Sequence, residues 1–462
     1  MLKPLFASMT LAVASITAAA ERPSDVATPN TAASTVFHEW LSAFNSGQRS
    51  AIQTFYATRL DDPDPAFQYE NAEDTCGFDV VRIEAQTPRS LRVLLAEKCF
   101  PALQSLDLEL GAPGTQKLKT FELRPYQLPP QRVIAALSSI ADRLAQRDQF
   151  AGTLMIAHGS AAPWTRSWGD IDGDAKQPIT ADTPMFLASA GKMFTAVAVL
   201  QLVNAGKIDL DAPFGRYLTN YPNREMAKAT IRQLLEHRGG TGDIGILGRD
   251  DGANRQWVRS IDDIIKLNGA RGPDFPPGSK AEYSNYGFIL LGAVIEKVTG
   301  QRYDDYIAEH IFKPAGMSRA GFPDLDHLQG VALGKTTFYG ATPTMVSNRD
   351  VLPWRGASAG GGVASANDMR KFFDALRAGK LLPAKLLKLA TTAGDTPWYG
   401  LGFVVNSGKH ASWGHGGNSY GMDVATHYYP GIDTTFICLG TRDQVCNRLI
   451  YAWYFRVFGV TE

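Results

Sequence analysis

The chain reads as an α+β protein, a small leading unit followed by a larger one, and three observations carry that reading. Over 33–125, two amphipathic helical stretches precede four alternating, strand-like ones, the order of a small α+β unit and not of alternating βαβ repeats. From 152 a strand pair opens a second pattern, a mostly helical middle follows, and strands return only beyond 400. An apolar, helix-length stretch over 445–458 closes the chain. At 462 residues the whole exceeds one ordinary domain.

Each element has its own justification. Met1-Leu-Lys3, the apolar 5–20 and Ala18-Ala-Ala20 before Glu21 match a secretory signal peptide over 1–20 with an A-x-A-like cleavage site. A periplasmic or secreted protein of a bacterium is therefore expected. The apolar stretch is short for a membrane span, and no cysteine follows the cleavage site, so no stable membrane anchor is expected. The first domain is placed at 21–125. Val36-Phe-His-Glu-Trp-Leu-Ser-Ala-Phe-Asn is an amphipathic helix and Ala51-Ile-Gln-Thr-Phe-Tyr a shorter one, followed by strands at 78–83, 91–97, 106–110 and 118–123. On pattern alone this unit resembles the cone-shaped nuclear-transport-factor-like fold. That resemblance implies a ligand-holding cone or, the role expected here, a structural or substrate-positioning appendage. Residues 126–130, Tyr-Gln-Leu-Pro-Pro, read as the linker and 131–462 as the second domain. There a helix is expected over 133–146, strands at 152–158 and 164–168, and buried helices near 193–203 and 288–298. Ser365 and Asp368 form a capping box before a helix over 369–376, and strands are expected at 401–405 and 435–439.

Composition excludes some function classes. Forty-six basic and 46 acidic side chains cancel, so no nucleic-acid partner is expected. Four cysteines in an exported chain permit disulfides: Cys76 with Cys99, and Cys438 with Cys446, are the pairings expected within each region. No zinc spacing and no H-E-x-x-H occurs among the eight histidines, so neither a metal nor a cofactor is expected.

The chemistry concentrates in three short motifs. In Ser189-Ala-Gly-Lys192, three residues' helical separation sets an amine beside a hydroxyl. A free serine is a poor nucleophile and needs such a base. No other lysine here has a serine three positions before it. Tyr283-Ser-Asn285 follows in a Pro/Gly-rich loop leading into a helix, and His415-Gly-Gly417 lies between strand-like stretches. With these motifs in this order, the chain from about Gln131 onward resembles the serine β-lactamase and penicillin-binding-protein superfamily. Its Tyr-x-Asn is most like the class C β-lactamase branch, which also holds esterases and D-amino-acid peptidases.

The resemblance implies one antiparallel sheet joining the first and last strands of the domain, flanked by helices, with a further all-helical region. It implies an acyl-enzyme on Ser189, with Lys192 and Tyr283 sharing the proton work. Which of the two removes the serine proton is left open at this level. Asn285 orients the lysine or holds a substrate amide. The backbone N–H groups of Ser189 and Asn418 form the oxyanion hole, and Gly416 and Gly417 let the substrate approach the strand. His415 departs from the pattern, since Lys or Arg usually faces the substrate carboxylate there. A histidine is mostly neutral at pH 7, which moves the expected substrate from β-lactams toward small esters, amides or D-amino-acid peptides.

Rival motifs are present. Gly356-Ala-Ser358-Ala-Gly360 reads as Gly-x-Ser-x-Gly, with Asp423 and His427 downstream, the elements of an α/β-hydrolase-type esterase. Pro353 just before it argues against the strand such a site requires, and a glycine-rich loop beside the active site is expected instead. Tyr221-Pro-Asn223 and His237-Arg-Gly239 are read as a polar loop and a structural turn. The third reading is a non-hydrolysing penicillin-binding or sensor module, distinguished by a stable adduct.

Overall fold

The leading helix forms where apolar residues recur at helical spacing. α1 (Ala32–Asn45) is capped by Thr31, whose side chain accepts from the Ser34 N–H, and it buries Val36, Phe37, Trp40 and Phe44 on one face. The structure is a computed structural model that describes residues 30–62, 65–115, 117–171, 177–244, 258–338 and 340–460. The expected leader, 1–20, lies outside them. By internal contacts the chain divides into Met1–Leu128 with Gly459–Glu462, and Pro129–Phe458.

The first unit continues with α2 (Arg49–Leu60) and α3 (Ala66–Thr75). The sequence reading lacks α3, whose buried apolar residues are only Tyr69 and Ala72. Strands β1 (Phe78–Gln86), β2 (Ser90–Glu97), β3 (Leu103–Leu110) and β4 (Leu118–Pro125) pair in sequential antiparallel order. Rings fill the space between helices and sheet: Trp40 meets Phe44 at 5.1 Å, Phe121 at 5.5 Å and Phe78 at 6.0 Å. A disulfide joins Cys76, after α3, to Cys99, after β2, with Cα atoms 5.4 Å apart. Val460 donates to Pro125 O at 2.9 Å and accepts from Gln127 N at 2.8 Å. The end of the chain thus groups with this unit, where the sequence assigned 131–462 to the second domain.

In the second unit, α4 (Pro130–Gln146) starts on a proline at its first turn, where a missing N–H costs nothing. β5 (Gly152–His158) and β6 (Trp164–Trp168) follow, then the core helices α5 (Lys192–Asn204), α6 (Asn285–Thr299) and α7 (Ala366–Arg377). The sheet is completed by β7 (Val404–Asn406), β8 (Ser412–Ser419), β9 (Met422–Tyr429) and β10 (Thr434–Gly440). Its order is β7-β8-β9-β10-β5-β6, antiparallel throughout. The last strands of the chain pair with the first strands of the domain, as the resemblance implied. Near 401–405 only Val404 and Val405 belong to a strand.

α5 is buried all round, with Met193, Phe194, Ala196, Val197 and Leu200 at no exposure. That explains the unbroken apolar run of its sequence, and it carries Lys192 into the interior. α8 (Val445–Val457) packs Trp453 on Tyr429 and Phe436, and Cys446 bonds to Cys438 with Cα atoms 5.5 Å apart. Among the described residues no helix is long and apolar enough to cross a membrane. The Ser365 capping box is formed, with Ser365 and Asp368 exchanging hydrogen bonds at 3.1 and 3.2 Å. Replacing Ser365 by Ala removes that cap and is expected to lower unfolding stability by about 1 kcal/mol. Urea denaturation checks it, and an unchanged midpoint contradicts the cap's contribution.

Candidate active site

Ser189 lies in a single 3₁₀ turn, Ala188–Gly191, that runs straight into α5. Ala188 adopts φ 44°, a left-handed conformation that costs a non-glycine residue roughly 1–2 kcal/mol. Such strain is held only where surroundings enforce it, and here a glycine-rich loop does so. Gly361 N donates to Ala188 O at 3.0 Å and Leu187 N to Gly362 O at 3.1 Å. A Cβ on Gly360 would stand 2.8 Å from Ala188 O, so this approach requires glycine.

Lys192 is fully buried. Its Nζ lies 3.1 Å from Ser189 Oγ and donates to Asn285 Oδ1 at 2.7 Å and to Ala359 O. Burial pulls its pKa down to about 7, with Asp243 opposing weakly. A neutral amine has two N–H bonds and one lone pair. With Asn285 Oδ1 and Ala359 O taking the two hydrogens, the lone pair is left for Ser189. Asn285 therefore orients the lysine, one of the two roles the sequence left open. Tyr283 lays its ring 4.8 Å from Lys192 Nζ, and its hydroxyl hydrogen-bonds the Ser189 side chain. The residue is 38% exposed, yet enclosure of its hydroxyl raises the phenol pKa above its usual value of 10. The shifts split the pair: the amine gives up its proton readily and the phenol retains it.

β8 flanks this turn. Gly417 packs so close that a Cβ would stand 2.2 Å from Leu187 O and 3.0 Å from Ser189 N. Gly416 is less constrained, its nearest neighbour being Val424 O at 3.4 Å from such a Cβ. Asn418 follows on the part of β8 that pairs with β9 alone, and its Nδ2 donates to Asp423 Oδ1 at 3.3 Å.

His415, placed by the resemblance among the substrate-binding residues where Lys or Arg usually stands, is 3% exposed. Two residues from Gly417, it shares that residue's face of the strand and so points inward. Its Nδ1–H is donated to Gly416 O, which leaves Nε2 to accept from the Tyr399 hydroxyl at 2.8 Å. Burial, with Lys192 nearby, lowers its pKa to about 3, so it carries no charge at neutral pH. Ser358 sits in the glycine-rich loop expected for it and not in the rival esterase site. It is fully buried, its Oγ has no hydrogen-bond partner among the described residues, and it packs against Gly292 in α6. Neither His427 nor any other described base hydrogen-bonds it, and Asp423, which would have to orient that histidine, accepts instead from Cys446 N and Asn447 N. The Gly-x-Ser-x-Gly segment is the loop that wraps the Ser189 turn and supplies Ala359 O to Lys192. Thr195, one turn along α5, pins it by donating to Ser358 O at 2.7 Å.

Sequence reasoning missed one residue that this geometry brings out. His237 has a left-handed backbone, φ 59°, and grips both neighbours of Tyr283. Its carbonyl accepts from Glu282 N at 2.9 Å and its Nδ1 accepts from Ser284 N at 3.1 Å. Its ring lies 4.2 Å from the Tyr283 ring and 4.4 Å from Tyr399. The signal available was a histidine just ahead of Gly239-Gly240, read as a turn. Gly240 and Gly242 do have positive φ there.

The fold, and a buried Lys192 held between Ser189 and Tyr283, are those of the serine β-lactamase and penicillin-binding-protein superfamily. The profile of the Beta-lactamase family matches residues 137–456, and the chain belongs to that family. It is 31% identical over 270 residues to the putative penicillin-binding protein PbpX of Bacillus subtilis, covering 57% of this chain and 64% of that one. To esterase EstB of Burkholderia gladioli it is 27% identical, covering 57% of this chain and 76% of the esterase. The penicillin-binding protein of Bacillus halodurans superposes with a TM-score of 0.61 at 28% identity, over 67% of this chain and 97% of that structure. The matched stretch thus spans just under two thirds of PbpX.

Two outcomes follow from the loop and the clamp. Ser358→Ala removes an unsatisfied buried hydroxyl, so stability should hold or rise, and labelling of Ser189 by a fluorophosphonate should proceed at the wild-type rate. A loss of labelling contradicts the assignment of that loop. His237→Gly relaxes the backbone but releases Tyr283, and labelling should slow about 100-fold, the scale of an ångström-sized misplacement. His237→Asn, which tolerates left-handed φ and offers an acceptor to Ser284 N, should restore most of it. Equal rates in the two variants contradict the clamp.

Proposed function

We propose that this chain is an exported serine hydrolase that cleaves a small ester or amide, D-amino-acid peptides included, through an acyl-enzyme on Ser189. The observation that carries the reading is the buried Lys192 amine, 3.1 Å from Ser189 Oγ, with its other directions filled by Asn285 and Ala359. In this reading Ser189 Oγ attacks the carbonyl carbon as its proton passes to neutral Lys192. The N–H groups of Ser189 and Asn418 receive the oxyanion. The close packing of Gly417 on Ser189 N supports that role. Collapse of the intermediate breaks the bond to the leaving group, which departs with a proton from the Lys192–Tyr283 pair. Water then repeats the sequence on the acyl-enzyme and returns the free serine.

The relatives give the reading its range. They include an esterase and a D-aminopeptidase, the latter from Brucella anthropi at 30% identity over 58% of this chain. A neutral, inward His415 weakens recognition of a substrate carboxylate and sets β-lactams below uncharged esters and amides. Export rests on the N-terminal sequence alone.

Mixing the protein with an aryl acetate should give a transient mass increase of one acetyl group on Ser189, followed by release of acetate. Ser189→Ala should show neither, losing activity by at least about four orders of magnitude. The acylation rate should climb with pH through about 7 as Lys192 loses its proton. An adduct that persists without product would identify a penicillin-binding sensor. Undiminished turnover in Ser189→Ala would overturn the mechanism.

A further inference from the structure

A cavity of about 300 Å³ opens beside Ser189, at the small end of the range for ligand pockets. It adjoins Asn285, Asn418 and Ser419, while Tyr283 is absent from its described lining. Its walls are apolar. Ile289 follows Asn285 by one helical turn on the same face of α6, and Phe186 comes from just before the nucleophile. Leu325, Leu352 and Trp354 come from two loops, and Met422 from β9.

These walls are fixed in place before any ligand arrives. Leu325 N donates to Trp354 O at 3.0 Å, and Arg349 donates to Leu325 O at 3.0 Å. Arg355 pairs with Asp324 at 3.0 Å and with Asp304 at 2.6 Å. Leu328, Leu352 and Met422 form a small apolar cluster beneath. Arg355 is the one cation among the described lining residues, and its charge is satisfied by those two carboxylates.

On the acyl-serine reading above, the leaving group must depart on the side of its proton donor, Tyr283 and Lys192. Neither of these is in the described lining of the cavity, which reaches Lys192 only through its hydrogen-bond partners Ser189, Asn285 and Ala359 and extends from there to Asn418. We infer that it is the acyl subsite, and that it selects an uncharged apolar acyl group of a few carbons, or an apolar side chain in that place, against one carrying a carboxylate. Such a pocket has area to bury and, among its described lining residues, no cation free to meet an anion, so chain length raises reactivity and charge lowers it.

The test is acylation of Ser189 followed by intact mass with 4-nitrophenyl acetate, propionate, butyrate, pentanoate and hydrogen succinate. The second-order rate should rise about fourfold per added methylene up to butyrate. The succinate, which carries a carboxylate on a chain of similar length, should fall at least 100-fold below the pentanoate. Leu325→Arg should narrow that ratio at least tenfold. Met422→Ala should move the preferred chain longer, and it serves as the second probe if the arginine variant does not fold. Rates indifferent to chain length, or a succinate as reactive as the pentanoate, overturn the subsite alone. No acylation by any ester, or acylation undiminished in Ser189→Ala, overturns the acyl-serine reading and the subsite with it.

Discussion

A lysine amine taken out of water at the first residue of a buried helix is the constraint on which the rest of the site depends. In water Lys192 would carry a proton at neutral pH, and a protonated amine has no lone pair for the serine. Burial moves its pKa from 10.5 to about 7. The start of α5 is also the positive end of its dipole, which disfavours an ammonium there. The sign of the linkage is definite. Between about pH 7 and 10.5 the unfolded chain binds the extra proton, so stability from this group rises with pH over that window. At pH 7 the shift subtracts on the order of 4 kcal/mol from the folded state. The fold bears this because α5 is packed on every side, and because two fixed acceptors, Asn285 Oδ1 and Ala359 O, satisfy the amine's hydrogens.

The surrounding shell keeps the amine dry and its partners aimed. The glycine-rich loop presses its backbone onto the Ser189 turn, and Thr195 ties that loop to the helix bearing Lys192. On the other side His237, Tyr399 and His415 form a neutral, ring-lined backing to Tyr283. Both histidines are held uncharged by burial. A cation at either place would repel a proton from Lys192 and press it to a still lower pKa. The inward turn of His415 therefore affects two things together: it removes a charge from substrate recognition and leaves the lysine's basicity near neutral pH.

What was legible in the sequence was chemistry at short range. Ser189 with Lys192, and Tyr283 with Asn285, are local spacings that keep their meaning before the fold is known, and the structure gathers all four around one hydroxyl. The strand–helices–strand order announced the shared antiparallel sheet. The direction of His415 was not legible, because which face of a strand turns inward is decided by what packs on it. The carbonyl of Ala359 leaves no trace in residue type, and neither does the grip of His237 on residues 45 to 47 positions further on. α3 was missed because few of its buried residues are apolar. The return of Val460 to β4 is a long-range pairing with no local sign.

The most direct test of the central claim is the ionisation of Lys192 itself. In protein carrying ¹³C at lysine Cε, with the resonance assigned by its loss in Lys192→Arg, the account predicts one lysine titrating near pH 7. A Lys192 signal that titrates above pH 10 with ordinary lysines would contradict it, since the base beside Ser189 would then be charged wherever the protein works.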